Sequence, residues 1–153
     1  MRPSIEDMLI EIAFTVSKRS TCSRRNNGAV IADQRGVPLS TGYNGSLAGM
    51  DHCDHECDCG AILGNFEHRT DCLAHENNGC TLAVHAEANA VYFAARNGVR
   101  TEGMTIYCTT EPCVKCAEAI VQSGIVKCVY AQDYRVHDGI NLLVAAGIEV
   151  VKW

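Results

Sequence analysis

His85-Ala86-Glu87 and Pro112-Cys113-Val114-Lys115-Cys116 constrain this chain more than any other feature. One imidazole, one carboxylate and two thiols can serve a single centre only if two separate segments end at one point. Both segments carry the marks of a helix start. Apolar residues recur at helical spacing over 81–97 with Gly98 as the stop, and Pro112 suits the first turn of a helix ending near Gly124. Unpaired N–H groups and the dipole at a helix N-terminus favour thiolate over thiol, which is where Cys113 and Cys116 fall. By itself Cys-x-x-Cys fits a structural zinc knuckle or a redox pair. Neither reading has a use for a carboxylate two residues after the imidazole. Zinc held by His85, Cys113 and Cys116 would keep a fourth position for water and lower its pKa to about 7, leaving Glu87 to move protons. Two fully helical residues at that spacing point about 200 degrees apart, so the geometry needs the backbone to bend at the helix start.

A chain of 153 residues suits a single domain, 1–153, with one continuous core. Its net charge of -5 argues against a nucleic acid polymer as partner, since such binding rests on phosphate neutralisation. No apolar run approaches the ~18 residues of a membrane span. The first residues lack the apolar stretch of a signal peptide, so the ten cysteines read as reduced thiols in the cytoplasm.

Ser4 and Asp7 form a capping-box pattern ahead of a helix expected over 5–19. Segments 28–32 and 38–43 read as a hairpin around Asp33-Gln34-Arg35-Gly36. Further strands are expected at 104–108, 127–131 and 148–152, and Asp138 can cap a helix that stops at Gly147. The order, a helix, two strands and three helix–strand repeats, favours an α/β fold with a mixed sheet flanked by helices. Cys108 and Cys128 fall inside strands and read as small core residues. Between them and the hairpin lies 44–80, with little periodicity but with Cys53, Cys57, Cys59, Cys72, Cys80 and His75. A loop that long needs a staple, and metal is the obvious one.

Five stretches carry a resemblance: Arg19-Ser20-Thr21-Cys22, Gly28-Ala29-Val30-Ile31, Gly42-Tyr43-Asn44-Gly45, His85-Ala86-Glu87-Ala88-Asn89-Ala90 and Thr110-Glu111-Pro112-Cys113-Val114-Lys115-Cys116-Ala117. Together they resemble the deoxycytidylate (dCMP) deaminase family, a branch of the zinc deaminases that share H-x-E and P-C-x-x-C. The resemblance implies a cytidine-deaminase-like three-layer α/β/α fold with a five-stranded mixed sheet. It implies hydrolysis of dCMP to dUMP and ammonia, with Glu87 as the catalytic proton carrier and His85, Cys113 and Cys116 on the catalytic zinc. It further implies a homohexamer activated by dCTP and inhibited by dTTP, the effector arriving with Mg²⁺.

For the substrate, Arg24 and Arg25 stand where a phosphate would need cations, with Asn26 or Asn27 for the sugar and a backbone carbonyl near Thr110 or Glu111 for the exocyclic amine. Relatives close an Arg and a Tyr on the nucleotide, which maps onto Arg24 and Tyr134, with Arg135 a further cation. Solvated surface for either Arg, and a core or interface role for Tyr134, are the bland alternatives. Gly42, Tyr43, Asn44 and Gly45 would alone be an ordinary turn; the resemblance makes them effector-binding, together with Arg96, and brings Phe93 towards a subunit interface. At least one structural zinc is implied at Cys22, Cys53, His75 and Cys80, with Cys57, Cys59 or Cys72 as substitutes. A deaminase acting on dCTP as well, a nucleic-acid deaminase, and a zinc-stapled interaction module without activity are the competing readings.

Overall fold

In the computed structural model, which describes residues 2–22, 25–49 and 83–153, a five-stranded sheet runs in the order β2-β1-β3-β4-β5. The strands are β1 (Gly28–Ala32), β2 (Pro38–Tyr43), β3 (Thr105–Thr110), β4 (Lys127–Gln132) and β5 (Glu149–Lys152). The helices are α1 (Ile5–Ser17), α2 (Ala86–Arg96), α3 (Val114–Gln122) and α4 (Asp138–Ala145). β1 pairs antiparallel with β2 and β3, whereas β3, β4 and β5 run parallel, so the sheet is mixed as expected.

The two faces are sorted by the period of two along each strand. Val30, Ala32, Tyr107 and Val129 face α1, where they meet Leu9, Ile10 and Ala13. Ala29, Ile31, Ile106, Cys108 and Cys128 face the other way, against Ala90 and Ala94 of α2, Ala117 and Ile120 of α3 and Leu143 of α4. This gives three layers: α1, the sheet, then α2, α3 and α4. Cys108 and Cys128 are core residues, as their strand positions imply.

Boundaries moved where a local bond or a register decided them. The Ser4–Asp7 capping box forms, with both bonds at 3.0 Å, but α1 ends at Ser17 and Lys18 is its cap. The expected helix 81–97 begins only at Ala86, because Val84 exchanges two backbone bonds with Gly45 and is extended; 81 and 82 lie outside the described residues. β3 and β4 each run further than expected because their pairing continues to Thr110 and Gln132. Asp138 is the first residue of α4 and not its cap; His137 holds the cap position and makes no side-chain cap bond. Among the described residues no helix is long and apolar enough to cross a membrane.

Helices sit close to the sheet where glycine leaves room. A Cβ built at Gly28 would lie 2.0 Å from the Ala13 carbonyl oxygen, and one at Gly42 would lie 2.2 Å from that of Ala86. Gly28 therefore seats α1 and Gly42 seats α2, on opposite faces. Gly28→Ala should lower unfolding stability by about 2–3 kcal/mol, the usual cost of forcing an extra methyl into a packed backbone contact. Equilibrium urea unfolding checks it, and an unchanged midpoint would show that α1 can lift off without cost.

Candidate active site

β3 ends at Thr110 and the chain passes through Glu111 and Pro112 to Cys113, which occupies the N-cap position of α3 with Cys116 one turn on. His85 holds the N-cap position of α2, in extended conformation at φ -71 and ψ 155. That extended residue is the bend the spacing demanded. It releases the imidazole from the helical arrangement, so His85 and Glu87 both turn towards Cys116. The His85 Nδ1 lies 3.4 Å from the Sγ of Cys113 and 3.4 Å from that of Cys116. The Glu87 carboxylate accepts from the Cys116 thiol at 3.5 Å. The expected constellation therefore converges from two helix starts, at the C-terminal end of a parallel strand where α/β sheets leave a crevice.

The donor set fits zinc. The ligand atoms of His85, Cys113 and Cys116 all lie within 4.8 Å of one another. Tetrahedral zinc with ordinary Zn–S and Zn–N bonds wants an N···S separation of about 3.6 Å, close to what the protein already holds. Two soft thiolates with one imidazole also suit zinc better than a hard cation. His85 is exposed, Cys113 half-buried and Cys116 buried, so the trio opens on one side.

Protonation is organised around the same atoms. A hydrogen bond from Cys116, aided by one from His85 and by its charge, pulls the Cys113 thiol down to about 4 against the opposing effect of burial. Cys116 moves the opposite way, raised by its bond to Cys113, by burial and by the Glu87 charge. The metal-free pair thus holds one proton on Cys116, which an incoming metal must displace. The bond to Cys113 raises His85, with burial opposing. Glu87 is raised chiefly by burial, with only 6% of its surface exposed.

Around this centre the other candidate residues are gathered in part. Thr110 donates through Oγ1 to Asn27 Oδ1 at 3.0 Å, tying the approach to Cys113 to the segment before β1. Asn27, and not Asn26, is the residue in this network; Asn26 is exposed, as is Arg25, whose carbonyl is held by Asn44 Nδ2 at 2.7 Å. Asn44 itself is buried, with its Oδ1 taken by the Asn27 N–H at 2.8 Å. Gly42 lies under α2, Tyr43 accepts from Asn89 Nδ2 at 2.8 Å, and Gly45 pairs with Val84. Arg96 is exposed in the last turn of α2, away from the metal-ligand turn at that helix's other end. Glu111 is buried and bonded to Tyr134 and His137, a use of its side chain that spacing gave no means to foresee. Cys22 is buried and, among the described residues, is in no disulfide. Arg24, Cys53, Cys57, Cys59, Cys72, His75 and Cys80 lie outside the described residues.

The family model for the cytidine and deoxycytidylate deaminase zinc-binding region matches residues 3–132. The deoxycytidylate deaminase of Enterobacteria phage T4 is 38% identical over 167 residues, covering 93% of this chain and 86% of that protein. The deoxycytidylate deaminase of Saccharomyces cerevisiae is 35% identical over 151 residues, covering 98% of this chain and 45% of that protein. Among solved structures, the dCMP deaminase of the cyanophage S-TIM5 in complex with dCMP and dUMP gives a TM-score of 0.78 at 30% identity, covering 100% of this chain and 99% of that one.

In metal-free protein at about pH 6, Cys113 lies above its pKa and is thiolate, while Cys116 lies below its own and is thiol. Iodoacetamide should therefore mark Cys113 more than about tenfold faster than Cys116, and Zn²⁺ should protect both. Peptide mass spectrometry reads the two sites separately. Equal labelling would mean that the proton is not held on Cys116.

Proposed function

The chain belongs to the cytidine and deoxycytidylate deaminase family, and from that premise we propose that it hydrolyses dCMP to dUMP and ammonia. One observation carries the reading: a buried carboxyl, Glu87, stands beside a three-ligand zinc set. Burying a carboxyl is costly, and a purely structural metal site gains nothing from it. This weighs against the zinc-stapled interaction module.

His85, Cys113 and Cys116 would hold the zinc, which when bound supplies an acidified water and a Lewis acid at the reacting carbon. Glu87 is then the proton carrier. It takes a proton from the attacking water as the C4–O bond forms and delivers it to N3; it then takes the remaining proton from the new C4 hydroxyl and passes it to the exocyclic amine as the C4–N bond breaks, leaving C4=O and ammonia. A group that must hold a proton through part of the cycle is served by a pKa that burial has raised. Backbone near Thr110 and Glu111 would orient the amine, and Asn27 is offered with Asn26 for the sugar. Arg24, Arg25 and Tyr134 are the proposed phosphate-facing residues.

Support for a monophosphate substrate comes from the T4 and S-TIM5 relatives, whose names and bound nucleotides concern dCMP. The finer features rest on resemblance: dCTP activation, dTTP inhibition and Mg²⁺ at Gly42–Gly45 and Arg96, a homohexamer in the cytoplasm, and a structural zinc shared between Cys22 and Cys53, His75 and Cys80. A pocket that also accepts dCTP is the second reading, and one substrate panel separates the two.

Purified protein should release ammonia from dCMP far faster than from cytidine or deoxycytidine, with dTTP lowering the rate and dCTP restoring it. Activity on dCTP equal to that on dCMP would favour the bifunctional reading, and indifference to dTTP would remove the effector assignment. Glu87→Gln should lose activity on the order of a thousandfold, the scale of a general acid–base group, with zinc content unchanged by metal analysis. Retained activity in that variant would overturn the role of Glu87.

A further inference from the structure

Glu111 carries a carboxyl group that the reaction does not use. Its side chain has 0% exposure, so it cannot itself touch a substrate. It stands two residues before the metal ligand Cys113. A carboxylate is kept in such a place only when its oxygens are satisfied by donors. Its partners are the backbone N–H of Tyr134, which donates at 3.1 Å, and the Nδ1 of His137, 2.9 Å from both carboxylate oxygens. The Glu111 N–H in turn donates to Gln132 O at 2.8 Å. Every one of these partners lies at the end of β4 or in the segment between β4 and α4.

The same segment is fastened a second way. Gly139, in the first turn of α4, packs against the turn that leads into α3, and a Cβ there would lie 2.0 Å from the Pro112 carbonyl oxygen. No side chain larger than hydrogen fits between α4 and the Pro112–Cys113 peptide. Between the two fastenings sit Tyr134 and Arg135, with the guanidinium 5.6 Å from the centre of the Tyr134 ring, a cation–π distance. The stacking holds a cation beside an aromatic on a short loop whose two ends are tied to the metal-ligand turn.

We propose that Glu111 is a positioning residue, whose buried carboxylate clamps the 133–137 loop to the Pro112–Cys113 turn and so presents Tyr134 and Arg135 to the phosphate-bearing end of the nucleotide. The presentation part rests on the function proposed above; the clamp does not. Because Glu111 acts through the loop, its loss should weaken substrate binding and leave the metal centre intact. A mere cap for α4 would instead change stability without distinguishing one substrate from another.

Glu111→Ala removes both acceptors, whereas Glu111→Gln keeps one oxygen and should restore part of the effect. Hydrogen exchange on the zinc-loaded protein reads the clamp directly, since the Tyr134 N–H lies outside any helix or strand and owes its protection to this carboxylate. Protection over 133–137 should fall about tenfold or more in Glu111→Ala, the scale of a lost hydrogen bond to a charged group, while β3 and α3 keep theirs. Kinetics read the consequence: KM for dCMP should rise on the order of tenfold with kcat within about twofold, and deoxycytidine should be affected far less. Unchanged exchange at 133–137, or loss of protection spreading through β3 and α3, would overturn the clamp. A fall in kcat at constant KM, loss of zinc, or equal effects on dCMP and deoxycytidine would overturn the presentation role. If wild-type protein does not turn over dCMP, the proposed function fails and the presentation role with it, and the exchange measurement alone still decides the clamp.

Discussion

Two helices begin within hydrogen-bonding distance of each other at the end of β3, and the rest of the molecule is arranged so that they can. α2 starts at His85 and α3 at Cys113, each with an extended residue at its N-cap. A helix start offers unpaired N–H groups and the positive end of a dipole. Two such starts facing one point make a place where a thiolate is stabilised at Cys113 and a carboxyl is buried beside it. The pull on Cys113 and the burial of Glu87 are local consequences of that meeting.

Keeping the two starts together takes contacts far from the chemistry. Gly42 lets α2 settle on β2, Gly28 lets α1 settle on the opposite face, and Gly139 lets α4 close on the Pro112–Cys113 peptide. Asn44 acts as a hub. Its carbonyl accepts from Ser20 Oγ at 2.8 Å, its side chain binds Asn27 and Arg25, and the neighbouring Tyr43 carbonyl is held by Asn89 of α2. Residues that read in sequence as separate words are thus parts of one hydrogen-bonded frame around the site. Thr110 and Glu111 extend that frame to the segment before β1 and to the loop after β4.

Most of the elements were legible in the chain because their patterns are local. The Gly-containing turn between Gly28–Ala32 and Pro38–Tyr43, the Ser4–Asp7 box and the helical spacing before Gly98 each depend on neighbours a few residues away. The errors fell where distant partners decide. Val84 fits a helical pattern but pairs with Gly45 across the fold, so α2 starts late. Asp138 looks like a cap, yet it is the first residue of α4 and the His137 ring at the cap position is bonded to Glu111 instead.

For the site, residue types and spacing determined the chemistry: one imidazole, two thiols at a helix start and one carboxylate, a set suited to zinc and proton transfer. Spacing could not say that Glu87 would face the ligands, since in an unbroken helix it points away from His85. The extended backbone at His85, held where Val84 meets Gly45, settled that. Nor could spacing tie Asn27 to Thr110 or assign Glu111 a buried role, because each depends on a partner from another strand or loop. Chemistry is carried by which groups are present, and a sequence lists them; orientation and burial arise only when distant segments pack, which is where the tertiary structure decided.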